Sequence, residues 1–183
     1  MASIIEPNTD LEGILLVRKE VFSDGRGFFS EIFKESEICK LIGRRFEQAN
    51  FSLTKKIGTI RGLHFQKHPN EQGKLITVTS GRIFDVAVDI REGSSTFGKW
   101  TSFIIDSSQE LAVFLPEGFA HGFQVLEEDT QVLYFCTSEY SPSSEGSIRW
   151  NDPEIGIEWP IEDPDTSEKD SIAPFLNDWR NGS

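Results

Sequence analysis

Basic residues, cysteines, histidines and long apolar runs are all scarce in this chain. Lys and Arg number 18 against 30 Asp and Glu, giving a net charge of −12. That balance argues against generic nucleic-acid binding, which needs a basic face. It also means that a few local cations must hold any anionic ligand against an unfavourable overall field. Arg26, Arg61, Lys74 and Lys169 are the cations to follow. The two cysteines, Cys39 and Cys136, form no close-spaced metal or redox motif and no disulfide framework. Reduced, buried thiols are expected. No stretch approaches the roughly 20 apolar residues that span a bilayer. The N-terminus shows no basic region followed by an apolar run, so no signal peptide is visible. The expectation is a soluble, cytoplasmic protein.

What the chain does hold is aromatic and strand-like. Fifteen Phe and four Trp in 183 residues imply a core built on aromatic packing, an aromatic-lined pocket, or both. The length suits one domain. Short β-branched and aromatic runs recur, broken by turn residues: 13–18, 28–33, 46–53, 59–66, 74–79, 82–90, 100–105, 112–115, 122–126 and 131–137. Asp24-Gly25-Arg26-Gly27 and Glu127-Glu128-Asp129 read as turns, and Ser80-Gly81 as a tight hairpin. Helix is scarce, and Ser36 to Ile42 is the best candidate, with Ile38, Leu41 and Ile42 on one face and Gly43 as its stop. The pattern predicts an all-β chain, an antiparallel sandwich or barrel with few short helices. The tail after Ser141 is polar but carries Trp150, Trp159, Phe175 and Trp179, so it is expected to wrap onto the barrel.

Two of the three histidines sit in strand-like runs, Arg61-Gly62-Leu63-His64-Phe65-Gln66 and Pro116-Glu117-Gly118-Phe119-Ala120-His121-Gly122-Phe123. The third, His68, falls in a polar turn and is expected in solvent. Alternation puts Gly62, His64 and Gln66 on one face, and Asp85, Ala87 and Asp89 on one face of the 82–90 run. Phe84, Val86, Val88 and Ile90 then form an apolar face. Val132, Tyr134 and Cys136 lie together. Simple alternation sets Arg61 opposite His64, unless a bulge intervenes or Arg61 reaches inward from the strand end. Asp85 is either a second inward carboxylate or a structural one.

Two chemistries suit these parts. Pro116-x-Gly118-x-x-His121 resembles the second motif of metal-binding cupins, but Gln66 stands where the first motif needs a second histidine. His64 and His121 remain, with Glu71 as a possible third donor, a poor set for a transition ion. Alternatively, His64 is a general base held by a carboxylate, a lysine stabilises an oxyanion, and one of the two tyrosines is the acid. That set suits removal and return of a proton beside a ketone. A non-catalytic binding module is a third reading.

Eight linked motifs, from about Leu11 to Phe175, decide among these by resemblance. They are Asp24-x-Arg26-Gly27-x-Phe29-x-Glu31, Gln48-x-Asn50-x-Ser52, the two histidine segments, Gln72-Gly73-Lys74-Leu75, the 84–91 segment, Glu145-Gly146-Ser147-Ile148-Arg149-Trp150-Asn151-Asp152-Pro153 and Ser167-x-Lys169-Asp170. In this order they are similar to dTDP-4-dehydrorhamnose 3,5-epimerases. The resemblance implies a single cupin-type jelly roll or β-sandwich domain over residues 1–183. It implies no metal or redox cofactor, and a homodimer with a shared active site. The implied substrate is a dTDP-4-keto-6-deoxyhexose, inverted at carbons 3 and 5, or at carbon 3 alone in related enzymes. His64 matches the family's base, Asp170 its carboxylate partner, Tyr134 the acid and Lys74 the group at the ketone oxygen. Gln48, Asn50, Arg61 and His121 match pocket residues. Arg26 and Glu31 match an arm that can come from the partner subunit. Tyr140 matches a ring that stacks on thymine, and Glu145 and Lys169 match contacts near the nucleotide.

Overall fold

The structure, a computed structural model, describes residues 4–8, 10–18 and 20–182. It is built on two antiparallel sheets. The strands, in chain order, are Ile4–Pro7 (β1), Leu15–Arg18 (β2), Val21–Asp24 (β3), Gly27–Ser30 (β4), Gln48–Thr54 (β5), Ile60–Gln66 (β6) and Lys74–Ser80 (β7). They continue as Arg82–Asp89 (β8), Trp100–Asp106 (β9), Leu111–Leu115 (β10), Phe119–Val125 (β11), Thr130–Cys136 (β12) and Glu145–Ser147 (β13). One sheet has the order β1-β2-β10-β7-β12-β5 and the other β13-β6-β11-β8-β9, with β3 and β4 forming a separate hairpin. This is the all-β sandwich expected from the strand-like runs.

The Ser80-Gly81 turn does not close a hairpin. β7 pairs with β10 and β12, whereas β8 pairs with β11 and β9. The turn therefore carries the chain from one sheet to the other. Gly81, at φ +79°, makes the corner against Thr130, where a Cβ would collide. The predicted helix begins as a π-helical turn, Glu35–Cys39, and continues as the short α1, Lys40–Ile42, ended by Gly43 in the left-handed region. The π turn shifts the side-chain register, so Ile38 is buried while Leu41 is exposed.

Three apolar clusters hold most of the aromatic side chains. Ile76, Val78, Ile83, Ala87, Val113, Phe119, Phe123 and Val132 fill the space between the sheets. Cys39, Ile38, Leu75 and Phe114 lie outside the six-stranded sheet, with Phe33, Phe46 and Phe135 packed edge-on around them. Outside the five-stranded sheet, Val86, Val88 and Ile90 meet Ile148, Ile155 and Leu176 of the tail, with Trp159 and Trp179 alongside. Both faces of β8 are thus buried, and the Asp85 face is the one that points between the sheets. Cys39 and Cys136 are both free thiols and both buried.

Candidate active site

β6 and β11 are neighbours in the five-stranded sheet. His64 is paired with His121, yet Arg61 is paired with Phe123. Three steps along β6 match two along β11, which is a bulge. The extra residue reverses the alternation, so Arg61 and His64 line one cavity. This answers the parity conflict of the sequence in favour of a bulge. Gly62 makes it possible. Its φ is +134°, and a Cβ there would lie 2.5 Å from the Gly122 Cα and 2.9 Å from the His121 carbonyl oxygen.

The cavity opens between the sheets and holds about 480 Å³. β6 and β11 supply Arg61, His64 and His121, while β7 and β12 supply Lys74 and Tyr134 from the facing sheet. The tail closes it with Ser167, Lys169 and Asp170. His64 Nε2–H donates to Asp170 Oδ1 at 2.6 Å. That bond leaves Nδ1 as the basic nitrogen. The imidazole is 36% exposed and the carboxylate 4%, so a ligand can reach the ring but not the acid behind it. Burial alone would raise the Asp170 pKa; hydrogen bonds from His64, Ser167 and the Gly62 backbone outweigh it and hold it below the ordinary value.

The tail is pinned so that Asp170 stands there. Asp152 accepts from the backbone N–H of Glu154, Ile155 and Leu176 at 2.6–3.1 Å. Arg149 Nε–H donates to the Ala173 carbonyl at 2.8 Å and its guanidinium covers the Phe175 ring. Between these anchors runs the short helix Glu168–Ser171 (α2). Ser167 caps it by accepting from the Asp170 backbone N–H at 3.1 Å.

Lys74 is buried and its Nζ donates to the His64 carbonyl at 3.2 Å. Burial pushes its pKa down, opposed by Cys136 and Asp85. Burial likewise raises the Tyr134 phenol, with Arg61 pulling the other way. His121 Nε2–H donates to Asp85 Oδ1 at 2.7 Å, deep in the sandwich. Burial lowers the His121 pKa, and Asp85 works against that.

A second hollow of about 290 Å³ shares His64, Lys74 and Tyr134 with the first. Its other walls include Gln48, Asn50, Gln66, Gln72, Tyr140 and Glu145. Gln48 Nε2–H donates to Asn50 Oδ1, and Gln48 Oε1 accepts from the Tyr140 backbone N–H. Lys169 pairs with Glu145 at 2.6 Å, and this partner holds the Glu145 pKa down. The Tyr140 hydroxyl donates to the same carboxylate at 3.2 Å, leaving the ring half exposed above the hollow.

The structure thus gathers His64, Asp170, Tyr134, Lys74, Arg61, His121, Gln48, Asn50, Tyr140, Glu145 and Lys169 around two joined hollows. It does not bring Arg26 or Glu31 there. Arg26 stands at the tip of the β3–β4 hairpin, 91% exposed and paired with Asp24, and Glu31 pairs with Lys34. Glu71 turns to the exposed His68. Among the described residues, no group of three or more His, Cys, Asp or Glu is arranged to hold a metal ion. No helix among them is long and apolar enough to cross a membrane. Sequence reasoning passed over Thr59, Ile60 and Thr166 as lining residues. No motif chemistry marks them, since they contribute walls rather than charge.

Known proteins resemble this chain over nearly its whole length. A family-wide sequence profile for dTDP-4-dehydrorhamnose 3,5-epimerase matches residues 8–178. The dTDP-4-dehydrorhamnose 3,5-epimerase of Salmonella typhimurium is 48% identical over 172 residues, covering 92% of this chain and 93% of the relative. The crystal structure of the Legionella pneumophila 3,5-epimerase in complex with dTDP-4-keto-L-rhamnose superposes with a TM-score of 0.90 at 42% identity, covering 96% and 93% of the two chains. A 3'-monoepimerase from Streptomyces bikiniensis, in complex with dTDP-quinovose, matches with a TM-score of 0.90 at 32% identity, covering 97% and 91%. The sandwich is accordingly of the cupin type, and the chain belongs to the dTDP-4-dehydrorhamnose 3,5-epimerase family.

Proposed function

We propose that this protein epimerises dTDP-4-keto-6-deoxyglucose at carbons 3 and 5, giving dTDP-4-keto-L-rhamnose. The observation that carries the reading is the His64–Asp170 pair on one sheet of a cavity whose other sheet presents Tyr134 and Lys74. The ketone acidifies the hydrogens on both neighbouring carbons. His64 Nδ1 takes one of them, the C–H electrons pass into an enolate, and the imidazolium is stabilised by the Asp170 carboxylate. The Lys74 ammonium faces the oxygen where charge gathers. Tyr134, kept protonated by its burial, returns a proton from the opposite face. The substrate is neither oxidised nor reduced; before the second carbon is treated, the His64 imidazolium gives its proton to solvent and the Tyr134 phenolate takes one back.

Arg61 and Lys169 are the local cations for the diphosphate, and Tyr140 is the free ring for the thymine. The site is completed by a second copy of the chain. Exposed Phe22, Phe28 and Phe29 flank Arg26 on a hairpin that projects from the sandwich, and such a patch favours an interface. In a homodimer this arm would deliver Arg26 and Glu31 to the neighbour's nucleotide.

Proton NMR in deuterated water with dTDP-4-keto-6-deoxyglucose tests the reading. Deuterium is expected at both carbon 3 and carbon 5. Uptake at carbon 3 alone would make the protein a mono-epimerase, and no uptake would overturn the proposal.

A further inference from the structure

Asp85 has no part in the chemistry just described, yet it is among the most deeply buried charged groups in the molecule. It lies on β8, between the sheets, on the same face as Ile83 and Ala87, with no exposed surface. One oxygen accepts from His121 Nε2–H at 2.7 Å, and the other, Oδ2, is buried without a hydrogen-bond partner. A half-satisfied carboxylate in an apolar core costs stability. An Asn or a hydrophobic side chain would serve packing better. Its surroundings explain it. His121 stands directly beside His64 across β11 and β6, both share the cavity with the buried Lys74, and the Lys74 ammonium feels the Asp85 charge.

We propose that Asp85 is a positioning residue for the epimerisation: it fixes the His121 imidazole with Nε2 protonated and supplies the anion that balances the Lys74 ammonium in the floor of the cavity. The proposal rests on the reading of Lys74 as the group that faces the ketone oxygen. A neutral amine at that place could not stabilise the enolate as well. Cys136 from β12 and Asp85 from β8 bear on the Lys74 charge, and Tyr134 from β12, His64 and Arg61 from β6, His121 from β11 and Asp165, Lys169 and Asp170 from the tail line the same cavity. Among the described residues, Asp85 is the carboxylate that acts on the Lys74 charge; Asp165 lines the cavity but pairs with Lys56 at 3.6 Å. Asp170 is taken up by His64, and Glu145 by Lys169 and Tyr140.

Asp85→Asn tests this, because it keeps the shape and removes the charge. The variant is expected to lose roughly 10–100-fold in kcat with KM within about threefold, since Asp85 does not touch the substrate. The alkaline limb of its kcat profile should move down by about one pH unit or more, as Lys74 sheds its proton earlier. Asp85→Glu, which retains a carboxylate, should recover part of the rate and most of the limb. A folded Asp85→Asn variant with unchanged kcat and an unmoved alkaline limb would overturn the proposal. So would a loss of kcat with the limb in place, which is what damaged packing alone would give. If Asp85→Asn does not fold, ¹⁵N NMR of the wild-type Lys74 side chain decides. An ammonium at pH 8 supports the proposal, and a neutral amine overturns it. A wild-type protein that exchanges no substrate hydrogen would instead sink the epimerase reading, so the two failures are distinct.

Discussion

His64 and Asp170 come from parts of the chain 106 residues apart, and their 2.6 Å bond joins the sheet to the tail. Replacing His64 by Ala should lower kcat by roughly 10²–10⁴-fold, the usual worth of a general base, with dTDP affinity little changed in a binding titration. Asp170→Asn keeps the hydrogen-bonding shape but removes the charge that steadies the imidazolium, so it should cost about 10–100-fold. Much of this was legible in the sequence. Period-two alternation put His64 and Gln66 on a common face and left Asp85 as either an inward or a structural carboxylate, with no knowledge of the pairing. Alternation failed at Arg61, because a bulge adds a residue that no residue type announces. Gly62 is the nearest signal, a glycine inside a strand. The partner of Asp85 was not legible either, since it depends on which strands become neighbours.

Single elements set the precision of the site. β6 and β11 approach closely because Gly62 faces Gly122, and Gly62→Ala should destabilise the protein by about 1–3 kcal/mol while separating His64 from His121. Urea unfolding and kcat measured on one preparation would check both effects. At the end of β8, Asp89 is buried and accepts from Arg91, Ser94 and Thr96. Burial would raise its pKa, but these donors lower it to about 2. The folded value lies below the unfolded one, so its contribution to stability is present above about pH 4 and fades as the pH falls toward 2. Asp89→Asn should lower stability near neutrality by about 2 kcal/mol and flatten the loss between pH 4 and 2, readable by urea unfolding at several pH values. The strand runs were visible from aromatic and β-branched patterning. The Ser80-Gly81 turn was misread because a tight turn between two strands has the same composition whether the strands pair or part to different sheets. β1, β3 and β13 were not foreseen, for they are short and owe their conformation to β2, β4 and β6.

In the whole molecule, the sandwich places His64, the proposed base, on one sheet and Tyr134, the proposed acid, on the other, and the tail brings Asp170 behind His64. The acidic surface makes the few cations in the hollows decisive for binding a diphosphate, so affinity for dTDP should fall as salt is raised. The proposed homodimer carries its own prediction. Phe28→Ser with Phe29→Ser should shift light scattering toward monomer and weaken dTDP binding, because the arm bearing Arg26 would no longer dock. The measurement that bears most directly on the central claim is deuterium exchange in two variants, followed by NMR with dTDP-4-keto-6-deoxyglucose. With the base on one wall and the acid on the other, His64→Asn should show no exchange at carbon 3, while Tyr134→Phe should still exchange that hydrogen but return it without inversion. Exchange persisting in His64→Asn, or inversion at the wild-type rate in Tyr134→Phe, would contradict it.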